Sequence, residues 1–489
     1  MIRMTLTLAA LLLAGAAEAQ STSIRVGMQV EPPSLDPTTG PAGATDEVVY
    51  ANVFEGLTRF GPDGAIQPAL ARAWSTSEDG LEWTFTLVED ATFHDGTPFD
   101  AKDVAFSLDR ARAEGSTNAQ AGLFANIAGV EVLSPRQVRL TLAAPSGDLP
   151  FQLAWGDAVI VAEESAGDNA RMPVGTGPFR LTEWVPGERI ELERYADYWG
   201  DLPALESATF RFLPDPEAAL AALEAGEVDA FPNFPALQAL ARFDDDPDYQ
   251  VITGTTEGET ILAMNNAAEP FNDMQVRKAV AVALDRDAII AGAMEGYATP
   301  IGSHFPPHHP AYVDLTDLSA HDPDTARELL AGAGYPDGFS VELTLPPPAY
   351  AQRSGEIVVQ QLAEVGIEVE TRTLDWPEWL ETVYTKREYD MTIVSHTEPM
   401  DIDIYARDDF YFGYADPAFD AIVQDLALVT DPTERRERLQ DAQRHIAEAY
   451  VNAFLFQLPK TGVADARLRG LWENAPTQAI DLTGVSWVE

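Results

Sequence analysis

Cysteine is absent from the 489 residues. That excludes disulfides, thiol nucleophiles, thiolate metal sites and a lipid-modified cysteine behind an export signal. Lysine is scarce, with only Lys102, Lys278, Lys386 and Lys460. The 31 Lys and Arg are set against 79 Asp and Glu, a net charge of −48. Such a chain repels nucleic acid and anionic lipid, so no nucleic-acid partner is expected. An acidic, lysine-poor surface also suits a salty medium. No long apolar run follows the N-terminal segment, so no direct membrane insertion is expected. Neither an HExxH zinc motif nor a GxSxG nucleophile elbow occurs, which leaves a secreted hydrolase without machinery. The run PVGTGPF at 173–179 lacks the Lys-Ser/Thr of a phosphate-binding loop. No cofactor is expected.

The first residues carry Arg3, an apolar stretch at 6–17, and Ala17-Glu18-Ala19. This pattern predicts a signal peptide over 1–19 and a mature chain from Gln20. Length and a hydrophobic content of 46% suit two or three domains with real cores.

Alternation predicts strands at 24–30, 81–93, 130–132, 138–142 and 190–194. Asp100 is placed to cap a helix running through Val104, Phe106 and Leu108. Helices are expected over 276–284, from Asp285 or Asp287, from Asp322-Pro323, and from Asp431-Pro432 to about 450. Residues 341–345, 353–365 and 367–374 form a βαβ pattern, which implies parallel strands with a right-handed crossover. In FHDG (93–96), His94 and Asp95 are better explained by a turn before the capped helix than by catalysis.

Nine stretches in order carry a resemblance: SLDP (34–37), NVFEGL (52–57), PALARAWSTSEDGLEWTFTL (68–87), FHDGTPFDAKDVAFSLDR (93–110), PVGTGPF (173–179), YWG (198–200), GEVD (226–229), VRKAVAVALDRDAII (276–290) and DPDTARELLAGAGYPDGF (322–339). Together they resemble the extracellular solute-binding proteins, family 5, that serve dipeptide, oligopeptide and nickel ABC importers. The resemblance implies an α/β, two-lobed periplasmic binding protein fold (Venus-flytrap, type II-like) with an extra domain inserted in the first lobe. Lobe I would take 20–52, 176–262 and 466–489, the inserted domain 53–175, and lobe II 263–465. It also implies a non-enzymatic monomer that captures a solute between its lobes and hands it to ABC permease subunits. With no cysteine to lipidate, such a protein is expected free in a periplasm.

A peptide importer meets many side chains but one backbone, so its site needs a carboxylate for the ligand ammonium and a cation for the ligand carboxylate. The loop SHTEPMDIDIY (395–405) follows an expected strand at 389–394. By resemblance it supplies the acid, with Glu398 first and Asp401 second, among His396 and Tyr405. Arg353, shortly after Tyr350, is the candidate for the ligand carboxylate. Trp376 stands at a strand end where α/β clefts form. Glu31 and Trp155 could supply the first lobe's face. This loop lacks the Gly-Trp pair frequent in the family's peptide binders, which leaves an opine-like conjugate, an oligosaccharide or a nickel or other metal chelate as alternative ligands. His304, His308, His309 and His396 would be the metal candidates, but the prolines around 306–310 argue against a metal site, and none is assigned.

Overall fold

The computed structural model describes residues 21–398 and 400–488; the expected signal peptide lies outside the described residues. Among these, one mixed sheet of eleven strands runs through the molecule. Its centre is a pair of long antiparallel strands, Tyr249–Met264 and Asn452–Asp465, in register from Tyr249↔Asp465 to Ala263↔Asn452. On one side Asn452–Asp465 pairs with Ala230–Phe231, which leads through Ser23–Met28, Ser207–Phe212 and Arg189–Arg194 to Phe179–Val185. On the other side Tyr249–Met264 pairs with Met391–His396, which leads to Phe339–Leu345 and Ile367–Thr373.

The register of the long pair breaks between Thr255 and Glu259. Such a bulge adds local twist, and here it marks the passage between two cores. Ile252, before the break, packs with Val26, Phe179, Ile190 and Phe210. Leu262 and Met264, after it, pack with Val280, Leu284, Leu343, Val358 and Ile393. The C-terminal residues Leu482 and Trp487 return to the first core. A separate four-stranded antiparallel sheet (Ala71–Thr76, Glu82–Leu87, Gln137–Leu142, Ile127–Ser134) carries helix Ala101–Ala111 and its own core of Trp83, Phe85, Val104, Leu108 and Leu140.

Local chemistry sets the element ends. Asp100 caps Ala101–Ala111 in a capping box with Asp103. Asp285, Asp322 and Asp431 cap Arg286–Ala293, Pro323–Gly332 and Pro432–Glu448. The βαβ unit is present and parallel, in register from Phe339↔Ile367 to Leu345↔Thr373. Its helix spans Ala349–Glu364, starting earlier than the apolar period indicated, directly behind Pro348. The strand expected over 24–30 is Ser23–Met28, and the one over 81–93 stops at Leu87, before Asp90 turns the chain with a φ of 61°.

Candidate functional site

A cleft of ≈ 490 Å³ opens at the bulge of the long strands. Thr256, Glu257 and Gly258 form its floor, Thr397 and Glu398 one wall, and Gly40–Glu47, Trp155, Asp157 and Ala475–Ala479 the other. Helix Gly43–Val49 presents Asp46 and Glu47 to the cleft because Val48 and Val49 turn into the core. The 3₁₀ turn Gly156–Ala158 brings Asp157 alongside. Gly156 leaves room for the Asp46 carboxyl: a Cβ there would stand 2.4 Å from Asp46 Oδ1 and displace it.

Burial pushes the Asp46 carboxyl well up, and the like charges of Asp157 and Glu47 push the same way. Burial also raises Asp157, to about 6. Glu47 is raised by burial, offset by a hydrogen bond of 2.8 Å donated by Asn233 Nδ2 and by the charge of Lys460. Behind the floor, His308 Nε2 lies 2.8 Å from Glu257 Oε1 while its Nδ1 meets Thr255 Oγ1 at 2.6 Å.

Deeper still, His304 lies between two carboxylates, with Nδ1 2.8 Å from Glu259 Oε1 and Nε2 2.9 Å from Asp401 Oδ1. The Glu259 contact is a close charge pairing between two fully buried groups. Burial alone would push the His304 imidazolium down, but the combined charges of Glu259 and Asp401 outweigh it and hold it at about 10. The triad ties the loop after Met391–His396 to the long strand at its bulge.

The residues singled out in the sequence fall into three groups. Glu398 and Trp155 line the cleft from opposite walls. Asp401, His396, Tyr405 and Tyr350 lie behind the Glu398 loop and shape it. His396 Nε2 meets the Tyr411 hydroxyl at 2.8 Å, with the rings stacked, and burial lowers the pKa of His396. Tyr405, 1% exposed, packs against Phe412 and His304. The Tyr350 hydroxyl accepts from Ser395 N at 2.9 Å. The third group is not part of the cleft lining. Arg353 is exposed and reaches Glu295 at 3.4 Å. Trp376 stands 40% exposed against Trp379. Glu31 accepts from Trp184 Nε1 and Gly187 N, which anchors the 179–194 hairpin.

His396, Glu398 and Asp401 can each place one donor atom within 4.8 Å of the others. A metal there would compete with the Tyr411 and His304 contacts. His309 is neutral, lowered to about 3 by burial and by the neighbouring His308 and His304. Sequence reasoning missed Asp46, Glu47, Asp157 and Glu257. The one signal for Glu257 was a Glu-Gly-Glu run interrupting an otherwise strand-like stretch.

A cleft between two α/β lobes, spanned by long crossing strands, defines a solute-capturing protein. The profile of the bacterial extracellular solute-binding proteins, family 5 (middle), matches residues 65–416, and the chain belongs to that family. The glutathione-binding protein GsiB of Salmonella paratyphi A is 33% identical over 348 residues, 69% of this chain and 67% of its own length. Among solved structures, AgaA of A. tumefaciens R10, in complex with agropinic acid, is 26% identical with a TM-score of 0.71 and covers 96% of this chain and 99% of its own. A nickel ABC transporter protein of Bacillus halodurans is 26% identical with a TM-score of 0.83, over 95% of this chain and 100% of its own. Members of this family are periplasmic transport proteins that deliver solutes to ABC permeases. No helix among the described residues is long and apolar enough to cross a membrane.

Proposed function

We propose that this protein captures small peptides in the cleft at the bulge of the long strands, with Glu398 receiving the ligand's amino group, and passes them to its permease. The observation that carries this reading is the position of Glu398. It is an exposed carboxylate that lines the cleft together with Trp155, Asp46 and Glu47 from a distant part of the chain. An ammonium held there touches both lobes, so binding favours closure. Similarity to a glutathione-binding protein agrees with a peptide ligand. The agropinic acid complex keeps an opine-like solute as the second reading.

A thermal-shift screen tests the choice, using di- to pentapeptides, glutathione, opines, oligosaccharides, and nickel with and without chelators. Stabilisation follows RT ln(1 + [L]/Kd), so a micromolar ligand at millimolar concentration is stabilising by about 4 kcal/mol. A shift with peptides is expected, weakened at least about tenfold in affinity by Glu398→Gln, since the substitution removes a charge-assisted bond. Shifts only with opines, sugars or metal would overturn the peptide assignment.

A further inference from the structure

The charge of the cleft is one-sided. Its lining includes five carboxylates, Asp46, Glu47, Asp157, Glu257 and Glu398, and no lysine or arginine. Two of them have help from the protein: Glu257 meets His308, and Glu47 accepts from Asn233 and feels Lys460. Lys460 is itself committed to the backbone carbonyls of Trp472 and Asn474. No ion pair among the described residues reaches Asp46, Asp157 or Glu398.

Asp46 is the sharpest case. Its Oδ1 is buried without a hydrogen-bond partner, and the charges nearest to it are Asp157 and Glu47. Burial beside two like charges favours the protonated form of Asp46 in the empty cleft, and a cation brought beside it would favour the carboxylate instead. The lining also includes Trp155, whose Nε1 is buried without a partner. A single ammonium at Glu398 would leave the Asp46 side uncompensated. A ligand carboxylate would find no lysine or arginine in the lining, and Arg353 is engaged with Glu295 outside it.

Building on the peptide-capture reading above, we infer that the cleft selects its ligand by positive charge. It takes solutes with at least two ammonium or guanidinium groups and no free carboxylate in the site. One cationic group sits at Glu398 and another at the Asp46–Asp157 wall. Basic peptides and free oligoamines share this chemistry.

Calorimetric titration of the mature protein at low salt, with Ala-Lys-Ala amide, Ala-Ala-Ala, Ala-Glu-Ala and spermidine, tests the inference. The dicationic amide is expected to bind at least about tenfold more tightly than Ala-Ala-Ala, and Ala-Glu-Ala more weakly still, in keeping with the strength of charge-assisted bonds. Raising the salt should narrow the differences. Asp46→Asn should reduce the preference for the dication, and so should the exposed-site variant Glu398→Gln if Asp46→Asn fails to fold. Equal affinity for all three peptides would overturn charge selection and leave peptide capture standing. Binding of spermidine alone would support charge selection and remove the peptide reading. Heat from none of the four would overturn both.

Discussion

His304 shows how one residue's environment decides its role. Its side chain is 2% exposed and sits between Glu259 and Asp401. Removing it would leave two buried carboxylates facing each other, and losing one partner of a buried charged pair costs about 3–5 kcal/mol. His304→Gln should therefore lower the urea-unfolding free energy by about that amount near neutral pH. The sign with pH follows from a folded pKa of about 10 against the ordinary 6.5. The folded state holds the His304 proton more tightly, so its contribution is fully present below pH 6.5 and is lost as pH rises through 10. Urea titrations across that range should show the gap between the wild type and His304→Gln closing toward alkaline pH; a gap that widens would contradict the ion-pair role. In the sequence, SHFPPHHP offers closely spaced histidines that read as metal donors or nothing. The carboxylates that define His304 come from distant parts of the chain.

At the scale of elements, the long strands join the lobes, and their packing leaves no slack at Gly254. A Cβ there would stand 2.1 Å from the Glu473 carbonyl oxygen and 2.5 Å from its carbon. Backbone cannot swing aside as a side chain can, so Gly254→Ala should destabilise by about 1–3 kcal/mol, the usual cost of overpacking. The midpoint of a chemical melt will show it, and an unchanged midpoint would mean the 471–475 segment is free to move. Elements were the most legible level of this chain. Asp-Pro at 322–323 and 431–432, Asp100 and Asp285 all proved to cap helices, because a cap acts only on the backbone two or three residues ahead. Helix Pro417–Leu428 carries the same signal in Asp416-Pro417 and was overlooked, whereas the π turn Leu380–Thr385, whose Leu380 and Tyr384 stay exposed, left no clear trace. The bulge at 256–258 left only the Glu-Gly-Glu interruption as a sign, since it exists in relation to a partner strand some 200 residues away.

For the whole molecule, the net charge of −48 is the dominant electrostatic fact. Self-repulsion destabilises a compact state and salt screens it, with a Debye length falling from about 30 Å at 0.01 M to about 3 Å at 1 M. The melting temperature of the ligand-free protein should therefore rise with added sodium chloride over this range. A fall would show that local ion pairs such as Arg59–Asp481 outweigh the global repulsion.

The family, the α/β class, the capped helices and the parallel βαβ unit could all be read from the linear chain. Each of these depends on patterns repeated within a few residues or on motifs held in order along the chain. Of the residues the sequence singled out, Glu398 and Trp155 lie in the cleft lining. The rest of that lining is assembled by folding. Asp46, Asp157, Glu257 and the 475–479 segment meet because two strands cross between lobes and the C-terminus returns to the first core. Among 79 acidic residues, no local pattern distinguishes those that end up buried without a countercharge. A carboxylate's partner is a matter of distance in space, and so the sign of the cleft emerges only when the chain has folded.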